Sequence, residues 1–153
     1  MDPRHFQLFK QITCDYFAKL APGEPPVLES PYLQFDGPPV LDYASLVRIV
    51  GEVSGCLYLT SSVPLLSHVL RLHGEPEVSE RTLGDMCREL SNVLSGNASQ
   101  AFGGDWEISV PHSLDARSFA ALALPPSAFV MPLRWQGASA LLVIGLEAGR
   151  RNA

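Results

Sequence analysis

Four residues that could form a polar docking surface recur at helical spacing in one segment: Asp85, Glu89, Asn92 and Gly96. If the segment is helical, each residue turns by about 100°, so with Asp85 at zero Glu89 lies near ~40°, Asn92 near ~-20° and Gly96 near ~20°. A carboxylate there could bind a cation, and an amide could hold a water molecule, because an amide both donates and accepts hydrogen bonds. This stripe is the candidate functional site.

The residues around the stripe predict the helix that carries it. Ser79 is a typical N-cap residue, and Gly103-Gly104 is a typical stop, so the helix should run from Glu80 to about Phe102. The apolar residues of the segment fall between roughly 80° and 180° on the same scale, away from the stripe. They are Leu83, Met86, Leu90, Val93, Leu94 and Ala101. We therefore expect the stripe to face solvent or a partner.

Gly96 is unusual inside a helix, because glycine there costs roughly 1 kcal/mol relative to alanine. One interpretation is that it lets a partner approach closely beside the carboxylate and the amide. The other is that the stripe is an ordinary solvated face, since a Glu and an Asn three residues apart are common by chance. Spacing alone leaves both interpretations open.

The segment from Leu83 to Ala98 resembles the signature helix of the CheC/CheX/FliY phosphatases. That signature is Asp or Ser, three residues, Glu, two residues, Asn, and a proline further on. Asp85, Glu89 and Asn92 match it in register, and Pro111 matches the proline at a slightly shorter spacing. Residues 55–61 are similar to the strand and cap before the family's preceding helix. The sequence has one such Glu–Asn pair, which is most similar to CheX, because CheC and FliY proteins carry two.

The resemblance implies a phosphatase that acts on the aspartyl-phosphate of a CheY-type response regulator, in chemotaxis or another two-component pathway. Glu89 and Asn92 would be the catalytic residues: Glu89 would pair with a lysine of the regulator, and Asn92 would position the attacking water. Asp85 and Gly96 would contact the partner. The enzyme would need no cofactor of its own, since the regulator holds the Mg²⁺. The resemblance also implies a homodimer that joins sheet edges.

Several alternatives stay open. The chain could be a non-catalytic adaptor of the same fold, which binds a regulator or dimerises without turnover. Asp85 and Glu89 could be the paired carboxylates of a generic hydrolase, which would require a concave pocket. Glu89 could also act as a general base, although an exposed glutamate is a weak base near neutral pH. His68 and His73 are five residues apart, a poor spacing for a metal site on one helix face, so we predict no metal.

Composition limits the function classes further. Apolar residues make up 46% of the 153 residues and charged residues 18%, which suits one domain spanning residues 1–153. A net charge of -5 argues against nucleic-acid binding, which needs clustered Lys and Arg. The apolar runs are too short to span a membrane, and three cysteines without CxxC spacing suit a reducing compartment. We therefore expect a cytoplasmic protein that binds neither nucleic acid nor membrane.

The order of elements predicts an α+β fold, in which two long helices and an N-terminal helix pack on a mostly antiparallel sheet, as in CheC and CheX proteins. The first helix should begin at Asp2 or Pro3 and stop at Pro22-Gly23, and another should run from Ser61 or Ser62 to Gly74. Strands are predicted at Tyr32–Phe35, Leu46–Val53, Cys56–Thr60, Trp106–Val110, Ser118–Leu124, Phe129–Trp135 and Ser139–Leu146.

Three details of the predicted strands concern the turn between two of them and the edges of the sheet. Ser54-Gly55 is the predicted turn between the second and third of these strands. Pro132 cannot donate a hydrogen bond within a sheet, so its strand should be an edge or carry a bulge. Ser139–Leu146 has no charge inside it. It should either be an edge that pairs with a second copy or lie centrally within one subunit.

Overall fold

The computed structural model describes residues 3–33, 39–103, 106–114 and 128–148. Within these ranges the chain forms three helices and eight strands. In chain order they are α1 (Pro3–Leu20), β1 (Val27–Leu28), β2 (Tyr32–Leu33), β3 (Tyr43–Val50), β4 (Val53–Ser61), α2 (Val63–Leu72), α3 (Glu80–Ala101), β5 (Glu107–Ile108), β6 (His112–Ser113), β7 (Phe129–Trp135) and β8 (Ala138–Ala148).

The strands form a single antiparallel sheet in the order β1-β7-β8-β4-β3-β5, in which β2 also pairs with β7 and β6 with β3. The four long strands are central, and the two-residue strands border them on both sides. All three helices contribute to one hydrophobic core with this sheet. The predicted α+β fold is confirmed.

Both faces of the central strands are buried. In β4, Leu57 and Leu59 belong to the core under the helices, whereas Cys56 and Tyr58 belong to a second apolar cluster on the opposite face. This alternation follows from the two-residue period of a strand. The side of the sheet that faces the helices is therefore continuously apolar, and the apolar side of α3 packs on it.

The predicted turn at Ser54-Gly55 is wrong. The β3–β4 hairpin turns at residues 51–52, and Gly55 lies inside β4. A Cβ at Gly55 would lie 1.8 Å from the carbonyl oxygen of Gly145 in β8, so only glycine allows the two strands to approach this closely. The packing of β4 against β8 therefore requires the glycine. Its neighbours in the sequence do not reveal β8, so they indicate a turn at Gly55 instead.

Of the two placements that the sequence leaves open for β8, the structure shows the central one, because β8 lies between β7 and β4. Pro132, in β7, is on neither a free edge nor a bulge: β7 pairs with β8 in one unbroken register, and β1 and β2 border its other side. The Pro132 carbonyl accepts from the Glu29 amide at 3.0 Å, so the proline nitrogen faces that side too. On that side the hydrogen-bond ladder is interrupted between β1 and β2, so the N–H group that Pro132 lacks costs little free energy.

The remaining strand predictions hold in part. The predicted strands near residues 32 and 106 shorten to Tyr32–Leu33 and Glu107–Ile108. The predicted strand Ser118–Leu124 lies outside the described residues. Short outer strands still matter for the site, because β5 and β6 both contact α3.

Candidate functional site

Helix α3, which carries the stripe, begins and ends where the sequence predicts. The Ser79 Oγ accepts from the Thr82 amide at 3.2 Å, and the Thr82 Oγ1 accepts from the Ser79 amide at 2.8 Å. This reciprocal capping box satisfies two backbone donors at the helix N-terminus. At the other end the Phe102 ring stacks on Trp106 with centroids 4.2 Å apart. Both ends of the helix are thus held against the rest of the fold.

The buried side of α3 sets the direction in which the stripe points. Leu83, Met86, Leu90 and Leu94 are buried as predicted, whereas Val93 is half-buried and Ala101 exposed. Cys87 is buried on the same side: its Sγ lies 3.7 Å from the Leu59 carbonyl oxygen, and burial raises the pKa of this thiol to about 12.

Asp85, Glu89 and Asn92 lie on the exposed side of α3, and Gly96 is half-buried one turn further along. Among the described residues, none donates a hydrogen bond to the carboxylate of Glu89 or bonds to the side-chain amide of Asn92. A carboxylate and an amide that are exposed and unsatisfied by their own chain can both serve an external ligand.

Asp85 differs from Glu89, because its own chain already neutralises it. Its carboxylate forms an ion pair with Arg88, one turn along the helix, and a longer pair with Arg81, at 3.8 Å. Arg88 also donates to the hydroxyl of Ser113 in β6. A partner that uses Asp85 must therefore compete with these arginines.

Gly96 faces β5, and the fold itself does not require glycine there. A Cβ at Gly96 would meet the Ile108 Cδ1 at 4.0 Å, an ordinary van der Waals distance. Because an alanine would fit and would favour the helix, the chain's own packing does not account for the glycine.

An open groove of about 430 Å³ lies beside Glu89, between the C-terminal end of α2 and the first half of α3. Its titratable and charged lining residues are His73, Glu75, Arg81, Asp85 and Glu89, and Asn92 and Gly96 lie outside it. The groove supplies the concavity that a generic carboxylate hydrolase would need. However, Asp85 is held by two guanidinium groups, which leaves one free carboxylate in place of the pair such a mechanism uses.

Tyr16 and His73, which the sequence does not place at the site, lie at or close to this groove. The hydroxyl of Tyr16, on α1, is 3.2 Å from Nε2 of His73, just after α2. Burial, and after it the negative charge of Glu89, raises the pKa of Tyr16 to about 12, so the phenol keeps its proton at neutral pH. Residues 16 and 89 come from α1 and α3, and residue 73 directly follows α2, so no local spacing could indicate that they lie together.

The described residues contain neither a metal-binding cluster nor a membrane-spanning helix. Nowhere in that part of the chain do three or more His, Cys, Asp or Glu side chains gather closely enough to hold a metal ion. None of its helices is both long and apolar enough to cross a membrane.

Comparison with known proteins shows the family. The family described as chemotaxis phosphatase CheX matches residues 43–132, more than half of the chain. A comparison with curated protein sequences finds no relative.

Solved structures share the fold. A CheC-like superfamily protein from Shewanella sp. PV-4 has a TM-score of 0.80 at 20% identity, over 96% of this chain and 99% of that one. The chemotaxis protein CheX from Desulfovibrio desulfuricans scores 0.76 at 17% identity, over 94% and 99%. The CheX–CheY–BeF₃–Mg²⁺ complex from Borrelia burgdorferi scores 0.72 at 15% identity, over 94% and 97%. From its family match and its fold, the chain belongs to the CheX family of chemotaxis phosphatases.

Proposed function

We propose that this protein hydrolyses the aspartyl-phosphate of a CheY-type response regulator. The observation that carries the proposal is the exposed pair Glu89 and Asn92, three residues apart on α3 of a CheX-family chain. The Borrelia complex supports the class of partner, because that structure contains CheY with BeF₃ and Mg²⁺. The partner is then a cytoplasmic signalling protein, and the reaction takes place in the cytoplasm.

Asn92 positions the water that attacks the phosphorus. Its amide oxygen accepts a hydrogen bond from the water, and the oxygen of that water attacks in line with the aspartyl oxygen. The bond between phosphorus and the aspartyl oxygen breaks, which releases inorganic phosphate and the regulator's carboxylate. An acceleration of ~100-fold needs only about 2.7 kcal/mol of barrier lowering, which positioning alone can supply.

Glu89 is the anchor. It is exposed at the mouth of the groove, and its carboxylate is free to form a charge-assisted hydrogen bond with a lysine of the regulator. The anchor fixes the position of Asn92 one turn away, so that the amide enters the regulator's site in register. General-base catalysis is the weaker role for Glu89, because an exposed carboxylate is a poor base near neutral pH.

Asp85 and Gly96 complete the docking surface on either side of this pair. Asp85 contacts the regulator at the rim of the surface, where the regulator replaces Arg81 and Arg88 as the partner of this carboxylate. Gly96 lets the regulator's backbone approach α3 closely, a role that the chain's own packing leaves open. The protein brings no cofactor of its own, and the Mg²⁺ is held by the regulator.

The experiment that tests the proposal measures phosphate release from phosphorylated CheY-type regulators, with the protein present at a small fraction of the regulator concentration. We expect faster release and many turnovers per protein molecule. The competing function, a non-catalytic adaptor, predicts binding to a BeF₃-activated regulator without faster release. That result would refute the phosphatase activity and leave the docking surface in place.

A further inference from the structure

Tyr16, His73 and Glu89 form a polar cluster at the junction of the three helices. The Tyr16 hydroxyl contacts Nε2 of His73 at 3.2 Å, and His73 and Glu89 line the same groove. Tyr16 is half-buried and packs against the core, so its hydroxyl has a fixed place. The charge of Glu89 also acts on that hydroxyl, since it adds to the rise in the pKa of Tyr16.

The direction of the Tyr16 O–H bond depends on His73. When Nε2 of His73 has a free lone pair, it accepts a hydrogen bond from the Tyr16 hydroxyl. When the imidazole is protonated, Nε2 becomes a donor to the Tyr16 oxygen, because both ring nitrogens then carry hydrogen. The Tyr16 hydroxyl must then turn its hydrogen to another acceptor, and the carboxylate of Glu89 lines the same groove as His73 and acts on this hydroxyl through its charge.

We propose that Tyr16 and His73 are positioning residues for Glu89: neutral His73 holds the Tyr16 hydroxyl and leaves Glu89 free to dock, and protonated His73 turns that hydroxyl and its own charge towards Glu89. The inference rests on the proposed function of Glu89 as a docking anchor. It makes α1 and the end of α2 part of a site that the sequence places on α3 alone.

The other charged groups around His73 modify this effect without replacing it. Tyr16 faces it from α1, and Glu75 lies on the segment after α2. From α3 the groove receives Arg81, Asp85 and Glu89. Arg81 and Asp85 pair with each other at 3.8 Å, and Arg88 binds Asp85 as well. Glu89 is therefore the carboxylate of α3 that is left to respond to an imidazolium.

Docking should consequently weaken as the pH falls through the titration of His73. Protonation adds a cation that competes with the regulator's lysine for Glu89, so the docked state binds fewer protons than the free state. From about pH 8 to about pH 6 the dissociation constant should rise by about threefold, the size expected for one exposed ion pair. Turnover at saturating regulator should not follow this trend, because Asn92 positions the water.

The first test uses the free protein, so that it stands whether or not the regulator is correctly identified. NMR records the ring signals of Tyr16 at about pH 8 and about pH 6 in the wild type, Glu89→Gln and the matched control Glu52→Gln. The pH-dependent change of the Tyr16 signals should be smaller in Glu89→Gln, because the carboxylate towards which the hydroxyl turns is lost. Glu52, exposed in the β3–β4 turn, should have no effect. Equal changes in the wild type and Glu89→Gln overturn the inference.

The second test measures docking of a BeF₃-activated regulator at about pH 8 and about pH 6. His73→Gln keeps a polar group near Tyr16 but cannot titrate, so its affinity should not follow the wild-type pH trend. Tyr16→Phe should reduce the trend in part, and the exposed His112→Gln should keep it in full. Parallel pH profiles for the wild type and His73→Gln overturn the inference alone. No docking by the wild type at either pH would instead contradict the proposed function.

Discussion

The hydroxyl of Ser91 donates a hydrogen bond to the hydroxyl of Ser45, with 2.9 Å between the two oxygens, and both side chains are buried. The bond ties the inner side of α3 to β3, directly before Asn92 in the chain. Because an unpaired buried hydroxyl is costly, this bond favours one rotation of α3 about its axis. That rotation is the one that turns Asn92 outward.

We expect Ser91→Ala to lower the free energy of unfolding by about 1–2 kcal/mol, because it leaves the buried hydroxyl of Ser45 without its partner. The double variant Ser91→Ala/Ser45→Ala should lose less than the sum of the two single variants, since no orphan hydroxyl remains. Urea unfolding of the four proteins completes the cycle. Additive losses would show that the two hydroxyls do not interact.

Asn92→Ala should abolish the stimulated release of phosphate and leave the fold intact, because the side chain is exposed and makes no hydrogen bond within the described residues. Asn97→Ala is the matched control: the same change, also exposed, on another side of α3. Single-turnover phosphate release and thermal unfolding should be measured for both. If Asn92→Ala retains wild-type turnover, another group positions the water.

Glu89→Gln should weaken docking to a BeF₃-activated regulator by about tenfold, or ~1.4 kcal/mol, because a neutral amide cannot pair with a lysine. Binding titrations at two salt concentrations are the measurement, and Glu89→Gln should show a weaker salt dependence than the wild type. Arg88 is unsuitable as a control, since it binds Asp85 and Ser113. Glu52→Gln removes the same charge from a distant turn. Equal affinities for both variants would exclude Glu89 as the anchor.

Gly96→Ala and Gly84→Ala form a matched pair on α3. A Cβ would lie 4.0 Å from the Ile108 Cδ1 at Gly96 and 3.8 Å from the Arg88 Nη1 at Gly84, so both alanines fit. Each should stabilise the protein by up to about 1 kcal/mol through helix propensity. Gly96→Ala alone should weaken docking, because it adds a methyl group to the surface that we assign to the regulator. Unchanged docking together with higher stability would identify Gly96 as a residue without a docking role.

Local chemistry explains which elements the sequence could predict. The bounds of α3 followed from Ser79 and the glycines after Phe102, because capping depends on neighbours along the chain. The start of α2 at the N-cap Ser62 also follows from the sequence, but the group that caps it does not: the Ser62 hydroxyl is unpaired, and the carboxylate of Asp42 accepts from the Val63 amide at 2.9 Å. A side chain that caps a helix from a different strand end leaves no trace in local spacing.

The same limit applies to the sheet and to the site. The need for Gly55 arises from Gly145 in β8, far along the chain, so the local sequence indicates a turn at Gly55 and not a close strand contact. The stripe on α3 could be found because one helix carries it at a fixed period. The contribution of Tyr16 and His73 could not be predicted in this way, because only the packing of α1 and α2 against α3 brings these residues to the groove beside Glu89.

The last prediction concerns assembly, and the central position of β8 changes where the partner must bind. On one side of the sheet the outer edge of β3 is already satisfied, since Arg48 and Ser109 exchange hydrogen bonds of 2.9 and 3.0 Å. On the other side, β1 and β2 carry three exposed apolar side chains, Val27, Tyr32 and Leu33. We propose that two copies of the chain join at this second edge, because pairing there covers the exposed apolar side chains of β1 and β2.

Sedimentation equilibrium at micromolar concentration should show a dimer for the wild type. Leu33→Asp should shift it towards monomer, because a carboxylate would be buried at the joint without a partner. Val110→Asp places the same charge on a residue that is 76% exposed beside β5, at the opposite edge, and should leave the dimer intact. If Val110→Asp dissociates the dimer and Leu33→Asp does not, the interface lies at the β3 side. A monomeric wild type would refute the dimer, yet the site would stand, because a single α3 carries both Glu89 and Asn92.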